Sequence, residues 1–240
     1  MTEILAIIPA RSGSKRLPGK NLRYLGAKTL VQYAMDAALE SKSLSKIILS
    51  SDADVILELS LAYGPQICAI KRPEQISQDD SPAIEYVEHA LQEMTMLGHS
   101  FPDYVVIIQP SSPFTKGIDI DACIEAMEKL NADCAASVRE IEFDLHPSKL
   151  KCIQEGKLIP YFENEADKMA RHLLQKVYVR NGSVYVSRMQ LIQSGSILNN
   201  SCAAYIMPPE RSLDINDALD WEFAEFMMNK QTINKLNNDF

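Results

Sequence analysis

The chain has 240 residues, of which 46% are hydrophobic and 23% are charged, a composition that supports one substantial core. A net charge of −8 disfavours a general binder of nucleic acid or of anionic membranes, and no apolar run approaches the roughly 20 residues of a membrane span. Five scattered cysteines without a CxxC pair disfavour a disulfide framework and a zinc site, and they fit a reducing compartment. We therefore expect a cytoplasmic protein that binds neither nucleic acid nor a membrane.

Short apolar runs alternate with amphipathic stretches over the first part of the chain. The apolar runs predict strands near 4–9, 45–51, 66–70, 103–109 and 133–139. The amphipathic stretches predict helices near 29–42, 53–63, 82–97 and 117–131. This βαβ alternation indicates an α/β fold with a single Rossmann-like, mostly parallel sheet that is flanked by helices.

The alternation breaks at about residues 140–176 and then returns. Polar residues, prolines and a glycine divide this segment and leave weak strands near 150–154 and 157–159. Two strands and a closing helix follow, near 178–187, 202–208 and 217–229. The spacing of apolar residues in that helix predicts a core face made of Leu219, Phe223 and Phe226. We predict one domain over residues 1–240, with 140–176 as an excursion from the sheet.

The first predicted strand leads into a loop with an unusual charge pattern. Residues 4–35 contain no Asp or Glu, whereas residues 8–21 hold four cations and two glycines. The carboxyl end of a first parallel strand is where an open α/β sheet binds phosphate. Two glycines can free backbone N–H groups for phosphate, and three of the cations can neutralise its charge. These residues are Gly13, Gly19, Arg11, Lys15 and Lys20. We call residues 11–21 the basic loop and predict a polyphosphate site there.

Two common phosphate-binding motifs do not fit the basic loop. A Walker P-loop has four residues between its glycines and then Lys and a hydroxyl residue, but here five residues separate Gly13 from Gly19, and Asn21 follows Lys20. The dinucleotide pattern G-x-G-x-x-G is absent from the sequence. The alternative is a solvent-exposed basic turn that binds no ligand. It is disfavoured by the preceding strand, the two glycines and the flanking prolines.

The letters I-P-A-R and P-G-K-N at the two ends of residues 8–21 resemble the opening of the sugar-acid cytidylyltransferases. These enzymes activate sialic acid and related nonulosonic acids with CTP, and the resemblance extends over nearly the whole chain. It implies transfer of CMP from CTP to the anomeric hydroxyl of an N-acylneuraminate or legionaminate, with release of pyrophosphate. It also implies that Arg11, Lys15 and Lys20 are catalytic cations on the phosphates and that Asn21 binds substrate.

Later segments carry the same resemblance. Arg72, in K-R-P-E, would lie beside cytosine, whose O2 and N3 accept hydrogen bonds from a guanidinium. Gln109, in Q-P-S-S-P, would contribute to the nucleotide or sugar pocket, and Lys149 and Arg171 would face the sugar acid and the phosphates. Asn181, in R-N-G-S-V-Y-V, would lie near the substrate, and this segment favours an acid of the sialic or legionaminic type over the pseudaminic type.

The segment S-L-D-I-N at residues 212–216 resembles the family's S-I-D-I-D, whose two carboxylates hold Mg²⁺. Alternate residues of an extended segment share a face, so Asp214 and Asn216 are expected to point to the same side. Asn216 supplies a neutral oxygen where the family has a second aspartate, and Mg²⁺ accepts such ligands. We expect Mg²⁺ on Asp214, Asn216 and the CTP phosphates, which makes Asp214 a catalytic residue as well.

The resemblance also implies an assembly and leaves alternatives open. It identifies the excursion at 140–176 as a small protruding dimerisation arm, so a homodimer is expected, with CTP and a nine-carbon sugar acid as partners. An eight-carbon or pseudaminic acid is the alternative substrate. Because Asn216 replaces a carboxylate, a catalytically weakened nucleotide-binding regulatory protein is the alternative from another class.

Overall fold

The structure is a computed structural model that describes residues 2–162, 172 and 174–238. Its strands are β1 (Ile4–Pro9), β2 (Tyr24–Leu25), β3 (Lys28–Thr29), β4 (Lys46–Ser51), β5 (Ile67–Lys71), β6 (Tyr104–Ile108), β7 (Cys134–Glu140), β8 (Lys151–Gln154), β9 (Lys157–Pro160), β10 (Tyr178–Arg188) and β11 (Cys202–Ile206). Its α-helices are α1 (Leu30–Glu40), α2 (Asp54–Leu57), α3 (Ala83–Met96), α4 (Gly117–Lys129), α5 (Met189–Gln193) and α6 (Ala218–Asn238).

Seven of these strands form one sheet in the order β11-β7-β10-β6-β1-β4-β5. The pairs β1–β4, β1–β6, β4–β5 and β7–β11 are parallel, and β10 is antiparallel to both of its neighbours. The mostly parallel sheet predicted from the sequence is therefore confirmed. Strand β1 lies between β4 and β6, so the strand order reverses direction at β1. Open α/β sheets bind ligands in the crevice at such a switch point.

Both faces of the sheet are covered by helices, which explains why the central strands are apolar throughout. Ala6 and Ile8 of β1 pack with α1, α2 and α4, whereas Leu5 and Ile7 pack with α3 and α5 on the other face. Helix α1 starts at a capping box, in which Thr29 accepts from the Gln32 N–H and the Gln32 side chain accepts from the Thr29 N–H. No helix in the described part of the chain is long and apolar enough to cross a membrane.

One sequence prediction about helices is confirmed only in part, and another is wrong. The helix predicted over 53–63 is α-helical only at Asp54–Leu57 and continues as 3₁₀ turns, which are interrupted at Gly64, with a φ of 62°, before Pro65. In α6, the residues predicted to face the core are exposed instead, with exposed fractions of 74%, 52% and 61% for Leu219, Phe223 and Phe226. The helix docks through Trp221 and Ala224, which pack with Leu17, Leu25 and Ile215 in a small cluster beneath the basic loop.

The described part of the excursion forms a hairpin outside the main sheet. Strands β8 and β9 pair antiparallel with each other, and every residue of β9 is exposed. The outer ends of β7 and β10 continue their pairing toward it, with Tyr178 opposite Glu140. The weak strands predicted at 150–154 and 157–159 are therefore confirmed.

Candidate active site

The basic loop is anchored to the carboxyl edge of the sheet where β1 ends. The Ser12 N–H and hydroxyl both donate to Asp52, at 2.7 and 2.6 Å, and Asp52 follows β4. Burial would raise the pKa of Asp52, but the hydrogen bonds from Ser12 outweigh it and hold that pKa below its ordinary value. The Asn21 amide donates to the Arg11 carbonyl at 2.8 Å and so ties the two ends of the loop together.

The three predicted phosphate-binding cations lie in different surroundings. The Arg11 and Lys15 cations each lie 2.5 Å from the Asp79 carboxylate, which faces the basic loop from the opposite side of the cleft. The Lys20 ammonium instead donates to the Ile215 carbonyl at 2.7 Å, and its burial lowers its pKa. Two cations thus hold a carboxylate where the sequence predicts phosphate, and the third connects the loop to the predicted metal segment.

Ile215 links three chain segments that contribute predicted site residues. Its N–H donates to the Ser111 carbonyl at 2.8 Å, and its carbonyl accepts from Lys20. Its side chain is fully buried in the cluster with Leu17 and Trp221. The basic loop, the 109–113 segment and the 212–216 segment are therefore held together by one residue that contributes no reactive group.

The Asp214 carboxylate packs against the turn at Gly182. Gly182 has a φ of +71°, and a Cβ at this position would lie 3.0 Å from Asp214 Oδ2. The Asn216 amide donates to the same oxygen at 3.0 Å. Asp214 Oδ1 is buried and has no hydrogen-bond partner among the described residues. An unpaired buried carboxylate oxygen beside a neutral amide is chemically suited to a hard cation, so these residues fit Mg²⁺.

The donor set at Asp214 is incomplete without a ligand. Over residues 2–162, 172 and 174–238, no three His, Cys, Asp or Glu side chains form a group that could hold a metal ion. A cation at Asp214 therefore needs further oxygen ligands, and Mg²⁺ commonly takes these from substrate phosphates and water.

Asn181 lies beneath Asp214 in a buried hydrogen-bond network. Its side chain is 4% exposed, its carbonyl oxygen accepts from the Ser137 hydroxyl at 2.6 Å, and its amide donates to the Ser212 hydroxyl at 3.1 Å. These bonds join β7, the β10 turn and the 212–216 segment. The structure thus gives Asn181 a positioning contact, and direct contact with substrate stays a prediction.

Most of the predicted site residues line two cavities. The first, which we call the nucleotide cavity, has a volume of about 250 Å³, and its lining includes Arg11, Lys20, Asn21, Arg72 and Gln109. The second, which we call the acid cavity, has a volume of about 1000 Å³, and its lining includes Asn181, Asp214 and Asn216. Asn216 also lines a cationic recess that it shares with Arg11, Lys15 and Lys20. The structure therefore brings these residues together at one edge of the sheet.

One predicted cation, Lys149, lies apart from the others. Lys149 lines none of these cavities, because its ammonium lies 3.3 Å from Asp144 and 3.5 Å from the centre of the Phe143 ring in the excursion. Arg171 lies outside the described residues.

Sequence reasoning also missed residues that the fold brings to the site. Arg139 and Arg180 line the acid cavity, and Tyr86 and Asp79 line the nucleotide cavity. The acidic pair at 79–80 could have indicated Asp79, since the pair follows β5, and β5 lies in the same sheet as the strand that leads into the basic loop. Tyr86 carried no local signal, because it has the spacing of an ordinary core residue on α3.

The family model for cytidylyltransferases matches residues 5–201. The chain belongs to the cytidylyltransferase family. The chain is 30% identical over 240 residues to the N-acylneuraminate cytidylyltransferase of Escherichia coli O18:K1:H7, covering 98% of this chain and 54% of that protein. It is 32% identical over 229 residues to the CMP-N,N'-diacetyllegionaminic acid synthase of Legionella pneumophila, covering 94% and 96% of the two chains. The family resemblance drawn from the sequence is thus confirmed.

Other comparisons bear on length and fold. The chain spans about half the length of several curated relatives that it matches, including 51% of an N-acylneuraminate cytidylyltransferase from Streptococcus agalactiae. A solved structure of CMP:2-keto-3-deoxy-manno-octonic acid synthetase complexed with CTP superposes with a TM-score of 0.68 at 16% identity, covering 96% of this chain and 100% of that one. A 4-diphosphocytidyl-2C-methyl-D-erythritol synthase superposes with a TM-score of 0.66 at 12% identity, covering 95% and 99%. At these identities, the solved structures support the fold alone.

Proposed function

We propose that this protein transfers CMP from CTP to the anomeric hydroxyl of a nonulosonic acid of the N-acylneuraminate or legionaminate type and releases pyrophosphate. The observation that carries the proposal is the position of Asn216, which borders both the acid cavity and the cationic recess of the basic loop. A nucleotide and an acid bound on its two sides meet at Asp214. The names of the two relatives at about 30% identity support this choice of substrates.

The nucleotide side supplies charge neutralisation. Arg11, Lys15 and Lys20 would hold the β- and γ-phosphates and stabilise the negative charge that develops on the departing pyrophosphate. Arg72 and Gln109, which line the same nucleotide cavity, would hold the base. Transfer of this kind depends on positioned reactants and on preorganised positive charge more than on a covalent intermediate.

The acid side offers cations for the substrate carboxylate. Arg139 and Arg180 line the acid cavity, and neither forms an ion pair with another residue in the part of the chain that the structure describes. A guanidinium can bind a carboxylate through two parallel hydrogen bonds, which fixes the orientation of the acid as well as its position. We propose that these two arginines place the anomeric hydroxyl toward the α-phosphorus of CTP.

Mg²⁺ belongs to this proposal as the cofactor held by Asp214 and Asn216. When bound, the ion supplies positive charge at the α-phosphate and lowers the pKa of the attacking hydroxyl. The unpaired Asp214 Oδ1 and the contact between the Asn216 amide and Oδ2 support this assignment. Gly182 and the Asn181 network keep the Asp214 carboxylate in place from below.

We also propose a homodimer in which the excursion is the dimerisation arm. The hairpin exposes Ile153 and Leu158, at 74% and 70%, and large exposed apolar groups of this kind favour burial against a partner. On α6, Phe223 and Phe226 stack with ring centres 6.4 Å apart and also remain exposed. Sedimentation of the full chain should give a dimer at micromolar concentration. A monomer under those conditions would contradict the assignment of the arm.

The cytoplasmic location expected from the sequence is part of the same proposal. All five cysteines are free thiols in the structure, which supports a reducing compartment.

A panel of acids tests the function. The full chain is incubated with CTP, Mg²⁺ and, in turn, sialic, legionaminic, pseudaminic and eight-carbon sugar acids, and both pyrophosphate release and the CMP-sugar product are measured. We expect turnover with a sialic or legionaminic acid and none when the acid is omitted. Turnover only with an eight-carbon or pseudaminic acid would change the substrate. CTP binding without turnover on any acid would favour the regulatory alternative that Asn216 suggests.

A further inference from the structure

The lining of the nucleotide cavity contains a buried hydroxyl without a well-formed hydrogen bond to the described part of the chain. Tyr86 lies in the first turn of α3 and is 7% exposed, and its hydroxyl oxygen forms no hydrogen bond of good geometry with a described residue, although the Gln109 side chain in the same lining lies near enough to lower its pKa. Buried polar groups are nearly always paired in folded proteins, so each exception requires an explanation. Ser50 and Ser112 also carry unpaired buried hydroxyls, but neither residue lines this cavity.

Packing alone does not account for the Tyr86 hydroxyl. The ring packs in the cluster with Val87 and Leu91 of α3 and with Leu5 and Ile7 of β1. A phenylalanine would fill the same space without the free-energy cost of an unpaired polar atom. Burial raises the pKa of the Tyr86 phenol and outweighs the Arg72 cation and the Gln109 side chain, which lower it, so the hydroxyl keeps its proton and can both donate and accept a hydrogen bond.

Arg72 lies next to this hydroxyl and is also incompletely paired. It is 4% exposed, its Nε donates to the Ser77 hydroxyl at 3.0 Å, and its guanidinium carbon lies 5.4 Å from the centre of the Tyr86 ring. The terminal nitrogens of Arg72 donate to no other described residue. The Tyr86 hydroxyl and the terminal N–H groups of Arg72, none of which has a well-formed hydrogen bond with the described residues, therefore lie next to each other in the lining of the nucleotide cavity. Both residues are more than nine-tenths buried.

We propose that the Tyr86 hydroxyl hydrogen-bonds to the cytosine base of CTP, next to Arg72, and thereby contributes to nucleotide affinity. This inference rests on the proposed function, because it takes CTP as the ligand. The site suits a base better than a phosphate, since a neutral phenol matches an uncharged ring that has both donors and acceptors. The Tyr86 ring supports the guanidinium by a cation–π contact, so the ring and the hydroxyl have separable roles.

The Tyr86→Phe variant isolates the hydroxyl because it keeps the ring beneath Arg72. Titration calorimetry of the full chain with CTP, with CMP and with inorganic tripolyphosphate should show affinity about tenfold weaker for both nucleotides and unchanged for tripolyphosphate. Thermal unfolding, measured in parallel, should show a Tm that is unchanged or higher, since an unpaired buried group is removed. The Tyr104→Phe variant is the matched control, because the Tyr104 ring also lies 5.4 Å from a guanidinium carbon, that of Arg188, at the opposite edge of the sheet where β6 begins.

Three results would overturn the inference, and they are distinguishable. Equal CTP affinity in Tyr86→Phe and the unmodified protein would show that the hydroxyl does not contact the base. Equal weakening of CTP and tripolyphosphate would show a general distortion of the cavity. If the unmodified protein fails to bind CTP, the proposed function itself fails, and the role of Tyr86 fails with it.

Discussion

The two sides of the candidate active site are stabilised by different kinds of interaction. On the side of the basic loop, Arg11 and Lys15 share the Asp79 carboxylate, and the Lys15 side chain is 85% exposed. On the other side, the turn at Gly182 and the buried amide of Asn181 support the segment that carries Asp214. Exposed ion pairs contribute little and exchange readily, whereas satisfied buried networks fix geometry. If the basic loop binds phosphate as we propose, phosphate can replace Asp79 there, whereas the Asp214 side is already held in place.

Lys20 connects the two sides, and its removal should have the largest effect. The Lys20→Ala variant loses the hydrogen bond to the Ile215 carbonyl together with the charge that we assign to the phosphates. We expect kcat to fall by about 1000-fold, at the upper end for loss of one preorganised donor, with the fold intact by circular dichroism. The Lys28→Ala variant, which loses a surface ion pair with Asp36, is the control. Near-normal CMP-sugar formation by Lys20→Ala would contradict the phosphate assignment.

The Gly182→Ala variant tests the preorganised side. Its Cβ would lie 3.0 Å from Asp214 Oδ2, so the carboxylate or the turn must shift. Because a displacement of about 1 Å in a catalytic group can reduce rates about 100-fold, we expect a loss of that order in kcat, measured by pyrophosphate release.

The Gly195→Ala variant separates displacement from backbone strain. Gly195 has a φ of +80°, and a Cβ added there would have no atom within 4 Å, so the variant has a similar backbone cost of about 1–2 kcal/mol without moving Asp214. We expect lower thermal stability in both variants but lower kcat only in Gly182→Ala. Equal kcat in the two variants would show that the position of Asp214 is not critical.

The Asn216→Asp variant should strengthen the metal side. A second carboxylate beside Asp214 adds charge for Mg²⁺, so activity should hold or rise at limiting Mg²⁺, with half-saturation at an Mg²⁺ concentration several-fold lower. Rates measured over a series of Mg²⁺ concentrations check this. The Asp217→Asn variant is the control, since the Asp217 carboxylate accepts from the Asp220 N–H at the start of α6 and should not affect the Mg²⁺ requirement. A large loss of activity in Asn216→Asp would mean that this position does not hold the metal.

The Asp79→Asn variant tests the exchangeable side and should have the smallest effect. The Lys15 hydrogen bond, together with Arg11, holds the pKa of Asp79 below its ordinary value, so the carboxylate is charged at neutral pH and competes with phosphate. Its neutralisation should lower the KM for CTP by about threefold, the scale of an exposed ion pair, with kcat unchanged. The neighbouring Asp80→Asn variant should show a smaller change. A higher KM in Asp79→Asn would instead make Asp79 part of the binding site.

The features that could be predicted from the sequence depend on local patterns. The apolar periodicity predicted most strands and helices, and the charge pattern of residues 8–21 predicted the basic loop. The face of α6 was predicted wrongly because Phe223 and Phe226 have the spacing of a core stripe, yet the helix docks through Trp221. Which stripe of a helix is buried depends on the surface it meets, and that surface comes from the hairpin β2–β3 and the basic loop, far away in sequence.

The sequence by itself determined the α/β class, the family and the candidate residues on both sides of the site, because periodicity, charge and motif letters are properties of short segments. Only the tertiary structure decided how those residues are used. It paired Arg11 and Lys15 with Asp79, joined Lys20 to Ile215 across 195 positions, and buried Asn181 in a network with the segment that carries Asp214. Such contacts join residues that are distant in the chain, and they form only when the packing of the sheet and helices brings those residues together.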